Sequence, residues 1–202
     1  MRPADLKTRV VFSDINLSLL LYKDALIRKE VLEQTNSKER FIMAMGDPLP
    51  NLPGLTEFDN LDTTDLLARL IYAEASTQSK TGKAGVAWVV SNRVDKNMTE
   101  FGGNTYKGVI LKTNAFEGMT TINARQPNTS STAWSDSVEQ ALASSRLANP
   151  IGKCLWFVTN TYFASKVIKS GTTEYWNFGA GNKKIIEKKV LGDHTFYRVE
   201  GY

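Results

Sequence analysis

Glu74 is the side chain in this 202-residue chain with the strongest claim to chemistry, because of where it falls in a hydrophobic pattern. Leu67, Leu70, Ile71 and Glu74 stand at i, i+3, i+4 and i+7, which is one face of a 3.6-period helix. A carboxylate on an inward-facing apolar stripe is expensive unless it is paired or used. Partial burial raises a carboxyl pKa, and a Glu lifted toward neutrality is a general acid. The competing reading is an exposed Glu on a helix drawn slightly out of register. A second carboxylate, Glu117, follows Phe116 and precedes Gly118 in a turn-rich stretch. It is a candidate partner for Glu74 and equally a solvated loop residue.

Apolar ligand faces stack on aromatic rings, so Tyr72, Phe116, Trp156, Tyr162 and Trp176 are candidates for lining a substrate groove. For Phe116 and Trp156, core packing is the leading alternative. Asn92 is a candidate to orient a substrate amide or the carboxyl group, or else to cap a helix end. One cysteine (Cys154) and one histidine (His194) leave no intramolecular disulfide, and a zinc site is not expected. A Cys154/His194 thiol peptidase is the rival enzyme class. Against it, Cys154 lies directly before the apolar Leu155-Trp-Phe-Val158, whereas reactive thiols favour accessible, electropositive sites.

The elements that must position these groups follow from punctuation and periodicity. Residues 14–34 read as a helix and Ser37 to Met45 as a second, short one. Asp47-Pro-Leu-Pro-Asn-Leu-Pro-Gly54 reads as a connector. Residues 1–60 are thus a helical docking or capping segment, and 61–202 the main domain. Asp62 or Thr63 caps the Glu74 helix, with Asp65 in its first turn. A second helix runs from Gly82 to Asp95, where Ala84, Gly85 and Ala87 let two helix backbones approach as an αα-hairpin. A turn of helix is expected at Lys107–Leu111 and a longer helix from Ser135 to Leu147. Leu155–Thr159 and His194–Val199 read as strands, with loop and one further strand between them. The fold class is α+β, mainly helical, with a small antiparallel sheet late in the chain.

Composition is that of a globular protein, 42% hydrophobic and 23% charged. The net charge of +4 is uneven: residues 1–60 carry −1 and residues 61–202 carry +5. The basic part suits an anionic polymer or a solvated surface. The run Lys183–Lys189 includes Glu187 and has no accompanying nucleic-acid motif, so nucleic acid is not an expected partner. Leu17–Tyr22 is too short to span a bilayer, and no secretory signal is read.

From Asp65 onward the chain resembles the SleB/CwlJ family of bacterial cell-wall and spore-cortex hydrolases. The resemblance rests on landmarks in family order: Ala68-Arg69 and Glu74-Ala75 in the first helix, Gly82, and Asn92-Arg93-Val94. It continues through Lys107-Gly-Val-Ile110, Ala115-Phe-Glu117 as in the CwlJ branch, Leu155-Trp-Phe157 and His194-Thr-Phe-Tyr197. It implies a lysozyme-like fold acting on peptidoglycan glycan strands, without a cofactor or metal, and a catalytic acid at Glu74. It also implies an enzyme that works at the cell wall or spore cortex. A spore coat or a phage-tail-like particle, held through residues 1–60, would then carry it there. The chain departs from the family at Ala73, often glycine, and at Gln78, often a second glutamate. It also lacks the Asn-Pro that often ends the aromatic strand. The other reading is a wall-binding or assembly protein on a hydrolase scaffold.

Overall fold

The computed structural model describes residues 23–24, 26–35, 45–144 and 148–202. The chain divides into two units, residues 1–45 and 46–202. In the first, residues 26–35 are helical, carrying exposed Leu26, Ile27, Val31 and Leu32 and the i,i+4 ion pairs Arg28–Asp24 and Lys29–Glu33. The start of the helix expected over 14–34, and nearly all of the one expected over 37–45, lie outside the described residues. Among the described residues, no helix is long and apolar enough to cross a membrane.

The second unit begins earlier than residue 61. Its proline-rich stretch belongs to the core: Asp47 C=O accepts from Arg69, Leu49 N–H donates to Arg125 C=O, and Glu57 pairs with Arg125 in the interior beside fully buried Phe58. The compact unit thus starts at Gly46 and takes in the stretch ahead of the expected boundary at residue 60, because three prolines disfavour regular structure without preventing burial. A chain starting at Gly46 is expected to melt well above one starting at Leu61, which loses all of these contacts; thermal unfolding by circular dichroism is the check.

Helix α1 (Thr63–Ala75) starts where Asp62 accepts a hydrogen bond from Thr64 N–H. Leu66, Leu67, Ala68, Arg69, Leu70 and Ile71 are all buried, so α1 is enclosed on nearly every side. Helix α2 (Lys80–Lys96) starts at the Ser79 cap and ends at Asn97, whose left-handed φ of 50° closes it. Short α3 (Tyr106–Ile110) and α4 (Ile122–Arg125) and longer α5 (Thr132–Ala143) complete the shell around α1.

The sheet has five antiparallel strands in the order β1-β5-β4-β3-β2. These are β1 (Trp156–Thr159), β2 (Ile168–Ser170), β3 (Thr173–Asn177), β4 (Asn182–Leu191) and β5 (His194–Val199). Helix α6 (Asn160–Lys166) leaves β1 without a break, capped by the Thr159 hydroxyl. One sheet face turns Phe196 onto Gly85 of α2, where a Cβ would meet the ring at 2.6 Å. Gly85 is small for the sheet rather than for the helix hairpin that the sequence suggested. The opposite face packs Tyr197, Trp176 and Val199 against Phe163 of α6.

Candidate active site

Glu74 occupies the last turn of α1, half-buried, at the wall of a cleft of about 560 Å³. Gly118 N–H donates to its Oε1 at 2.6 Å, while Oε2 has no partner among the described residues and is not sealed from solvent. The carboxyl pKa is raised above the ordinary glutamate value. Burial is the largest cause and the nearby Glu117 charge adds to it, while the Gly118 N–H and Arg93 pull it back. One oxygen is anchored and the other free, on a group biased toward its protonated form. That arrangement can deliver a proton to an oxygen in the cleft.

The anchor depends on close approach. A Cβ on Gly118 would lie 2.9 Å from Glu74 Oε1 and 3.0 Å from Ala73 Cβ. Gly118→Ala is therefore expected to push the carboxyl group off its position without unfolding the chain. Its expected signature is a kcat lower by about 10²-fold with KM little changed, read by steady-state kinetics beside the wild type.

Arg93 forms the floor. It is buried, its Nε donates to Leu155 C=O at 2.8 Å, and its guanidinium lies 4.8 Å from the Phe116 ring centroid and 5.3 Å from that of Phe101. Burial lowers its pKa to about 10, with Tyr197, Glu100 and Glu74 opposing the fall. It remains a cation at neutral pH, facing the cleft that Glu74 lines.

The cleft gathers Glu74, Glu117, Phe116 and Tyr162 of the sequence candidates, together with Trp156. Phe116 is buried, Glu117 is exposed on the rim, and Tyr162 is half exposed. Three candidates lie outside the residues that line this cleft. The Asn92 amide donates to Gly152 C=O and Cys154 C=O and accepts from Asn149, tying the 149–154 loop to α2. Trp176, on β3, is buried in the cluster of Phe163, Tyr197 and Val199 and does not line the cleft. Tyr72 packs edge-on against Trp134, and its hydroxyl accepts from Asn128 N–H at 3.4 Å.

The thiol-peptidase alternative fails on the same geometry. Cys154 is fully buried, outside the cleft, and burial pushes its thiol up to about 12. His194 does line the cleft, with its pKa lowered by burial and its Nδ1 unpartnered among the described residues. No thiolate is available to it.

Gln78 resolves the second departure from the family pattern. Its Nε2 donates to Asp193 Oδ2 at 3.0 Å and its Oε1 accepts from Asp193 N–H at 2.9 Å. The side chain latches the α1–α2 turn to the β4–β5 turn, and a glutamate there would face the Asp193 carboxylate.

Sequence reasoning gave no role to Gly118 or to the Arg93 floor. The signal for Gly118 was a glycine just after Glu117; its use requires a contact 44 residues away in sequence.

Residues 77–197 match the family model described as Cell Wall Hydrolase. Two solved structures are similar. The catalytic domain of the germination-specific lytic transglycosylase SleB from Bacillus anthracis is 20% identical, with 69% of this chain and 98% of that one covered and a TM-score of 0.46. The catalytic domain of the Bacillus cereus SleB protein is 21% identical, with 76% and 100% covered and a TM-score of 0.45. No curated protein matches the chain.

Proposed function

This chain belongs to the cell wall hydrolase family, and from that premise we propose that it cuts the glycan strands of peptidoglycan with Glu74 as general acid and then base. The observation that carries the reading is the Glu74 carboxyl group, raised in pKa, anchored through Oε1 and open at Oε2 to the cleft.

Glu74 gives its proton to the glycosidic oxygen as the C1–O bond breaks. The acetamido carbonyl oxygen of the substrate's own muramic acid closes on C1 and shares the positive charge. The resulting Glu74 carboxylate then takes the proton of the C6 hydroxyl as that oxygen attacks C1 and displaces the acetamido oxygen, restoring the acetamide and leaving a 1,6-anhydro end. This lytic transglycosylase route requires a single positioned carboxyl group, whereas the common hydrolytic routes need a second one as base or nucleophile. Among the described residues, no hydrogen bond fixes the side chain of Glu117, and Asp193 is engaged by Gln78. Tyr162, half exposed on the cleft, supplies a ring face for a sugar.

Hydrolysis with Glu117 as the second carboxylate is the other reading, favoured by its place on the same cleft and its charge acting on Glu74. Mass spectrometry of digests separates the two. Anhydro-muramic ends that persist in Glu117→Gln support the single-carboxyl route; reducing ends that vanish in Glu117→Gln overturn it. Assignment to the CwlJ branch rests on the Lys107–Ile110 and Ala115–Glu117 motifs alone. Residues 1–45 are assigned the docking role, toward a spore-coat or phage-tail-like structural protein. A protein without them that still digests peptidoglycan but no longer joins the particle supports this.

A further inference from the structure

Strand β1 is the edge of the sheet, and each of its residues, Trp156 to Thr159, lines the cleft that holds Glu74. An edge strand presents unpaired N–H and C=O groups, and the pairing with β5 fixes which ones. Asn160 N–H donates to Asp193 C=O, and Leu155 N–H donates to Tyr197 C=O where the strand begins irregularly. With Trp156 opposite Tyr197 and Val158 opposite Thr195, this alternation turns the backbone groups of Trp156 and Val158 toward β5. Those of Phe157 and Thr159 turn away from it, to the open side.

Both ends of that open edge are already closed. Leu155 C=O accepts from Arg93 Nε, and Thr159 is the N-cap of α6, so its C=O begins the helix. Left over are Phe157 N–H, Phe157 C=O and Thr159 N–H. None of these has a hydrogen-bond partner among the described residues.

We propose that this edge is a subsite for the stem peptide carried by muramic acid, which adds to β1 as a short antiparallel strand beside Glu74. The proposal rests on the glycan-cleaving reading and names the form of substrate: peptide-bearing rather than naked strands. The geometry favours a peptide over a sugar acetamido group. One residue of an extended peptide points its N–H and C=O to the same side, matching the N–H and C=O of Phe157. The C=O two residues before it reaches Thr159 N–H. A single trans amide on a sugar points its N–H and C=O in opposite directions, so it makes one bond to this edge and not two.

Thr159 provides a clean probe. Its φ of −62° and ψ of 149° suit proline, and Val158 before it is in extended strand. Thr159→Pro removes the N–H, and Thr159→Ala keeps it; both lose the hydroxyl that accepts from Tyr162 N–H.

The experiment compares wild type and both variants on peptidoglycan strands and on the same strands stripped of stem peptides by an amidase. Wild-type kcat/KM is expected to fall about ten-fold or more on stripped strands, on the scale of three net hydrogen bonds. Thr159→Pro, and not Thr159→Ala, is expected to shrink that ratio by slowing on intact strands. Equal wild-type rates on both substrates, or Thr159→Pro matching Thr159→Ala, overturn the proposal while leaving the glycan-cleaving reading intact. If wild type cuts neither substrate, the glycan-cleaving reading falls, and a synthetic stem tetrapeptide titrated against amide-labelled protein decides the subsite. Saturating shifts at the Phe157 and Thr159 amides support it; unmoved amides overturn it.

Discussion

Glu74→Gln is expected to lower kcat on peptidoglycan by about 10³-fold, within the range that a positioned proton donor contributes. Gln keeps the shape and still accepts the Gly118 N–H through Oε1, so substrate affinity and fold should survive. The same substitution should raise thermal stability at neutral pH. A glutamate whose folded pKa lies above its unfolded value binds more protons when folded between the two values, so stability falls as pH rises through that window. Above the folded pKa the penalty of holding a charged Glu74 is fully present, and Gln removes it. The melting-temperature gap between variant and wild type should accordingly widen from acid to neutral pH and then level off. Wild-type activity should fall as pH rises through the Glu74 pKa, as required of a group that must start protonated. A variant that loses activity and stability together would mean that Glu74 is a structural residue.

Arg69→Ala is expected to be the most damaging substitution in the chain for stability. Arg69 is fully buried, and its guanidinium makes four contacts: Asp65 Oδ1 at 3.0 Å, Ala124 C=O at 3.0 Å, Arg125 C=O at 3.1 Å and Asp47 C=O at 2.7 Å. It thus ties α1 to the end of α4 and to the segment entering the domain. Removing it strands the carbonyls and leaves Asp65, itself buried, with only the Gly46 N–H as partner. Breaking one side of such a pair costs about 3–5 kcal/mol, against a total of about 5–15 kcal/mol for an ordinary domain. The unfolding free energy measured in urea should drop by that amount, lowering the midpoint with an unchanged slope. A loss of less than about 1 kcal/mol would refute the claim that this guanidinium holds the two segments together. Because Asp65 is raised in pKa by burial and held back chiefly by Arg69, the damage should be partly relieved at acid pH, where Asp65 is neutral.

Much of this was legible in the residues alone, for local reasons. Asp62 and Ser79 are caps, Leu67, Leu70 and Ile71 repeat with the helix, and the aromatic, β-branched runs at 156–159 and 194–199 have strand character. Those signals placed both long helices and the first and last strands, and they put Glu74 on an inward face one turn from the end of α1. Where local pattern was weak the reading was incomplete. Strand β4 carries Lys183, Lys184, Lys188 and Lys189, and its side-chain alternation is hidden because its lysines project from a sheet held by backbone pairing on either side. Helix α6 begins at the residue after β1, with no turn signal between them.

Tertiary structure alone decided which groups share the cleft, because that depends on contacts far apart in sequence. Gly118 reaches Glu74 only when the 117–120 turn folds over α1. Arg93 reaches the cleft only because α2 passes under the start of β1. Tyr72, Asn92 and Trp176 have residue types suited to sugar binding, but Trp134, the 149–154 loop and the Phe163 cluster claim them. The sequence determined a helix that ends in an acid. The fold determined what holds one oxygen of that acid, what raises its pKa, and which strand edge lies open beside it, since burial and backbone pairing are properties of neighbours that a linear pattern does not contain.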